Sequence, residues 1–156
     1  MYCDTEVDGK HTGHEMGLAR KKRMEMGFTF LKMDLGIGLL LDEPGTLNAP
    51  LGLLEDMKRY APHILNVQGG SVTADMVRRQ KSYALVTTAH PFTGIHLTEK
   101  GLDYLEAYVR DVRDVIGYDV PLAVDHFGHV CVEDCIRFAR RMERYNLAWI
   151  EDMIPW

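Results

Sequence analysis

Three short apolar runs in this sequence end in charge. Lys32 and Asp34 close Leu31-Lys32-Met33-Asp34, after Phe28-Thr29-Phe30. Asp125 closes Pro121-Leu122-Ala123-Val124-Asp125, and Glu151 closes Trp149-Ile150-Glu151. Charge at the end of a buried strand is costly unless it is paired or bound to a metal. The carboxyl ends of parallel strands are where α/β barrels build their sites. Asp125 and Glu151 are one strand-helix-strand unit apart, so they emerge on neighbouring strands. Two adjacent carboxylates repel, and a divalent cation relieves that repulsion. Hard oxygen ligands suit Mg²⁺. Lys32, one strand earlier, can reach the same pocket. The competing role for any one of these carboxylates is to cap the following helix.

The elements that must position these groups alternate in pattern. Tyr2-Cys3-Asp4 reads as the end of a strand. Gly13 to Met26 is rich in good helix formers, and Gly27 stops it. Phe28 to Met33 reads as a strand. Thr98 is a candidate N-cap for a helix carrying Leu102, Leu105, Val109, Val112 and Ile116 at helical spacing, with Gly117 as its stop. Pro121 to Val124 is a buried strand. Cys131 to Arg144 is an amphipathic helix with Val132, Cys135, Ile136, Ala139 and Met142 on one face. Leu147 to Ile150 is the last strand. Strands alternating with helices imply a parallel sheet.

Residues 36–97 interrupt the rhythm. They hold the turn signal Asp42-Glu43-Pro44-Gly45 and patterns for helices near Leu51 to Tyr60 and Thr73 to Tyr83. The loop His90-Pro91-Phe92-Thr93-Gly94-Ile95-His96 follows. This stretch reads as an insertion after the second strand, placed to cover the site as a lid. The expected layout is one partial barrel domain over 1–156: a first β-α-β unit in 1–35, the insertion in 36–97, and two further β-α-β units in 98–156.

Composition excludes several classes. A net charge of -5 gives no electrostatic footing for nucleic acid. The basic run Arg20 to Arg23 reads as a solvated helix face. Three cysteines, an odd and sparse set, point to a reducing compartment, with Cys131 and Cys135 as small buried apolar residues. The longest apolar run, Leu35 to Leu41, is too short for a bilayer, so the expectation is a cytoplasmic protein with no membrane partner. A rival site would be a transition-metal centre drawn from His11, His14, His90, His96, His126 and His129. However, His11-Thr12-Gly13-His14-Glu15 lacks the spacing of a helical zinc motif.

The motifs Lys32-Met33-Asp34, Val124-Asp125-His126-Phe127-Gly128-His129 and Leu147-Ala148-Trp149-Ile150-Glu151-Asp152-Met153-Ile154-Pro155 resemble the enolase superfamily, in its mandelate racemase and muconate lactonizing branch. The resemblance covers about two thirds of the chain and leaves 36–97 outside. It implies the first half of a (β/α)₈ TIM-type barrel, with Asp125 and Glu151 as Mg²⁺ ligands. It implies abstraction of the proton α to a substrate carboxylate, with the metal stabilising the resulting enediolate. For an acid-sugar dehydratase, loss of water follows. Asp34 replaces the second lysine of the family's Lys-x-Lys, and Phe127 stands where these dehydratases often carry His. That leaves Lys32 as a catalytic or orienting group and His126 or His129 as the general acid; His126 could equally pack against the following helix. The implied partner is a small sugar acid, bound by a homo-oligomeric parent enzyme. Racemisation or epimerisation is the nearest alternative, and a non-catalytic half barrel that binds or dimerises is another. The third metal ligand and later catalytic groups expected of the family are not in these residues. The chain is therefore expected to be part of a longer enzyme and inactive alone.

Overall fold

The computed structural model describes residues 2–4 (backbone only), 7, 11–49, 54, 95–125 and 130–153. Apart from Leu54, the expected helices near Leu51 to Tyr60 and Thr73 to Tyr83 lie outside the described residues. So do His90 to Gly94 and His126 to His129.

Four parallel strands form the main sheet, in chain order: β1 (Tyr2–Asp4), β2 (Phe30–Asp34), β5 (Leu122–Asp125) and β6 (Leu147–Ile150). Helix α1 (Gly13–Glu25) links β1 to β2, α2 (Glu99–Ile116) precedes β5, and α3 (Val132–Met142) links β5 to β6. Between β2 and α2, β3 (Leu47–Asn48) pairs antiparallel with β4 (His96–Leu97), and Ile37, Leu40, Ile95 and Leu97 are buried in the main core, so the expected insertion does not begin at 36 or run to 97 as a separate piece.

Local chemistry explains the element limits. Thr12 and Glu15 form a capping box, with the Glu15 N–H donating to Thr12 Oγ1 at 3.2 Å and the Thr12 N–H donating to Glu15 Oε2 at 2.7 Å. Gly27, at φ 92°, turns the chain out of α1 into β2. The Thr98 hydroxyl accepts from the Gly101 N–H, capping α2. Gly117, at φ 72°, ends that helix.

The core lies between the sheet and its helices. Leu31, Met33, Leu122 and Val124 are fully buried, as are Leu102, Leu105, Val109, Val112 and Ile116 of α2. The α3 stripe differs from its expected form. Cys135, Phe138 and Met142 are buried, whereas Ile136 is exposed. The basic run is also corrected, because Arg20 is fully buried while Lys21 and Lys22 are exposed.

Arg113 ties together the amino ends of β5 and β6. Its guanidinium donates to the carbonyls of Tyr145, Gly117, Val120 and Asn146 at 2.8–3.1 Å. Burial lowers its pKa, yet four carbonyl acceptors satisfy a cation that would otherwise be orphaned.

Helices α1 and α2 meet through glycine. A Cβ on Gly13 would lie 2.3 Å from the Tyr108 carbonyl oxygen, and one on Gly17 would lie 2.8 Å from Val115 Cβ. Backbone on one side and a β-branched residue on the other leave little room to yield. Gly13→Ala is therefore expected to lower unfolding free energy by about 1–3 kcal/mol, as overpacking does. Chemical denaturation measures it, and unchanged stability would show that the helices separate freely.

Candidate active site at the strand ends

Register decides which side chains share a face. Lys32 pairs with Ala123 and Asp34 with Asp125 across β2 and β5. Partners in a parallel ladder point the same way, so Lys32, Asp34 and Asp125 belong to one face. Between β5 and β6 the register slips: Leu122 pairs with Leu147, but Val124 pairs with Ile150. One extra residue on β6 is a bulge. It brings Glu151, rather than Ile150, alongside Asp125, and the Glu151 N–H continues the ladder to the Val124 carbonyl at 2.8 Å.

The three charged groups meet. Lys32 Nζ forms an ion pair with Asp125 Oδ2 and another, at 2.8 Å, with Glu151 Oε2. Lys32 and Asp125 are buried, while the Glu151 side chain is 44% exposed and forms the open side of the cluster. Burial pulls the Lys32 pKa down. The hydrogen bonds to Asp125 and Glu151 outweigh it and hold the ammonium well above its ordinary range. The hydrogen bond from Lys32, helped by one from Trp149, lowers the Glu151 pKa.

The floor of the site is aromatic. Phe30 and Trp149 stack with centroids 4.9 Å apart, reaching across β5. The Trp149 Nε1–H donates to Glu151 Oε2 at 3.2 Å. These two aromatics were not among the sequence-derived site residues. Their signal was present, since each stands two residues before a strand-end charge and so shares its face. Asp152 departs from the cluster: it is exposed, with a positive φ of 54°. His126 and His129 lie outside the described residues.

Of the histidine-rich alternative, only His11, His14 and His96 lie among the described residues. His14 is exposed on α1, and His11 lies edge-on to Tyr108. Among the described residues, only His96 joins other ligand-type side chains, Cys131 and Asp134. Cys131 stands before α3 as its N-cap, not inside the helix.

Comparison with known proteins places this architecture. The family described as enolase C-terminal domain-like matches residues 16–156, a span that runs through 36–97. The D-galactonate dehydratase family member RspA of Cellvibrio japonicus (strain Ueda107) is 28% identical over 89 residues, which are 57% of this chain and 22% of that protein. A mandelate racemase/muconate lactonizing enzyme-like protein from Rubrobacter xylanophilus DSM 9941 superposes with a TM-score of 0.55 at 20% identity. It covers 99% of this chain and 31% of its own. The four parallel strands and their helices are thus part of a (β/α) barrel, and this chain spans well under half the length of either protein. No helix among the described residues is long and apolar enough to cross a membrane.

The shared cation makes the cluster pH-dependent in a definite direction. Because the folded Glu151 pKa is lowered, its contribution to stability is present above the unfolded value, about 4.3. It is lost as pH falls through the folded value. The raised Lys32 pKa contributes below about 10.4 and is lost only in stronger alkali. Lys32→Met is expected to raise the Glu151 pKa, read by carboxyl ¹³C NMR titration, and to flatten the acid limb. An unchanged Glu151 titration would show that Lys32 is not its partner in solution.

Proposed function

We propose Mg²⁺-dependent dehydration of a sugar acid as the reaction of the parent enzyme, on the premise that this chain belongs to the enolase C-terminal domain-like family. The carrying observation is that the Asp125 and Glu151 carboxylates converge on one cationic position, now taken by the Lys32 ammonium. Two hard anionic oxygens around a shared positive charge fit a divalent cation. Asp125 and Glu151 would hold the ion, with further ligands from other parts of the enzyme. When bound, it supplies positive charge beside a substrate carboxylate whose α-carbon loses a proton.

Lys32 acts on the same substrate. Its ammonium reaches the position that the two carboxylates share, so it serves as a hydrogen-bond donor and positive charge. It orients the substrate carboxylate and stabilises the negative charge that grows as the α-proton leaves. Phe30 and Trp149 stack beside the cluster, and the Trp149 Nε1–H orients the Glu151 carboxylate. His126 or His129, one and four residues beyond Asp125, would protonate the departing β-hydroxyl. The family name of the Cellvibrio relative supports dehydration over racemisation.

Two measurements on the complete protein test this reading. With Mg²⁺ and a panel of sugar acids, the product is expected to be a 2-keto-3-deoxy acid, and Lys32→Ala is expected to lower kcat/KM by about 10²-fold or more. An epimer without keto acid would replace dehydration by epimerisation, and an unchanged kcat/KM would remove Lys32 from the mechanism. By calorimetry, Asp125→Asn and Glu151→Gln are each expected to lose most Mg²⁺ affinity, while Asp152→Asn keeps it. Binding lost only in Asp152→Asn would mean that the metal uses Asp152 instead of Glu151.

A further inference from the structure

A second group of ligand-type side chains lies outside the Lys32 cluster, where β4 meets the start of α3. His96 stands on β4, and Cys131 and Asp134 stand at the start of α3. Ile95 and Val130 form a parallel bridge that brings the two segments together. His96 Nδ1 lies 3.1 Å from Cys131 Sγ and 3.2 Å from Asp134 Oδ2, and Cys131 Sγ lies 3.1 Å from Asp134 Oδ2. Cys131 and Asp134 are buried, while the His96 side chain is 54% exposed.

We propose that His96, Cys131 and Asp134 form a zinc-type metal site that fastens the returning end of residues 36–97 to the barrel. Three observations select this reading. First, the separations suit a tetrahedral ion. Bonds of about 2.0–2.1 Å to nitrogen or oxygen and about 2.3 Å to sulfur set ligand atoms roughly 3.3–3.7 Å apart. The three atoms need to open by only a few tenths of an ångström. Second, the donors are one thiolate, one imidazole and one carboxylate, a mixed set that suits Zn²⁺ and is poor for Mg²⁺. A divalent ion with one thiolate and one carboxylate is neutral. Third, the second shell is in place. Arg137 Nη1 donates to Asp134 Oδ1 at 2.5 Å, and the Leu97 N–H donates to Asp134 Oδ2 at 2.9 Å, so the carboxylate is held by groups on both segments. The exposed side of His96 leaves a fourth position for water.

The same three residue types could suggest a nucleophilic triad, but the connectivity opposes it. Cys131 and Asp134 both meet Nδ1 of His96. A relay needs its nucleophile and its orienting carboxylate on opposite ring nitrogens. Convergence on one side of the ring is what a metal ligand requires.

The full-length protein is titrated with Co²⁺ as a spectroscopic stand-in for Zn²⁺, with excess Mg²⁺ to occupy hard-oxygen sites. One equivalent is expected to produce a thiolate-to-cobalt charge-transfer band and the intense visible bands of tetrahedral cobalt, and Zn²⁺ should displace it. Cys131→Ser should abolish the charge-transfer band. His96→Gln, on an exposed side chain that the fold does not need, should weaken binding by at least ~10-fold. Glu151→Gln and Cys135→Ser should leave the band intact, which separates this site from the proposed Mg²⁺ site and from the neighbouring thiol. Absence of a thiolate band in the folded protein, or its survival in Cys131→Ser, would overturn the assignment. So would full affinity in His96→Gln.

Discussion

One ammonium holding two carboxylates is the interaction on which this site depends. Lys32, Asp125 and Glu151 come from three adjacent strands, and two of the three are buried. As bare anions in that position, Asp125 and Glu151 would repel, and one would tend to take up a proton. With Lys32 between them that repulsion is relieved. Such pairs contribute little net stability, because desolvation offsets most of the attraction. Removing the lysine alone would take away the cation that the two carboxylates share.

The cost at this end is tolerable because the opposite end is tied firmly. Arg113 gathers four carbonyls from the segments that lead into β5 and β6, so the amino ends of the two strands that carry the carboxylates are fixed by one side chain. On the outer face, Arg141 of α3 reaches Asp103, Glu99 and Glu106 of α2, adding charge pairs over a packed apolar seam. Exposed pairs of that kind are worth little individually. Beneath them Leu102, Leu105, Val109, Phe138 and Met142 belong to the buried apolar core, whose burial stabilises the packing more than the exposed pairs do.

The parallel α/β order and the α2 stripe were legible in the sequence, because helix-forming periodicity and glycine stops are local signals. The strand-end position of Lys32, Asp125 and Glu151 was legible for the same reason. Three features were not. The bulge in β6 that aligns Glu151 with Asp125 depends on pairing with β5, and Leu147 to Ile150 carries no glycine to mark it. The burial of Arg20 depends on how closely α1 approaches α2, which Gly13 and Gly17 permit; in sequence it looks like its solvated neighbours. The grouping of His96 with Cys131 spans 35 residues and rests on a single bridge between Ile95 and Val130. No spacing rule reaches across such a loop, so Cys131 read as a small apolar residue although it stands at a helix start.

The charged cluster rests on an aromatic pair. Phe30 and Trp149 occupy the layer below Lys32 and Glu151 and stack across β5. Ala123, the register partner of Lys32, has the small side chain that leaves room for two rings and a lysine to cross a strand. The Trp149 N–H meanwhile holds Glu151 Oε2 from below, so the more exposed carboxylate is also oriented. The apolar packing of one layer thus sets the electrostatics of the next, and the two-residue period of the strands is what stacks them.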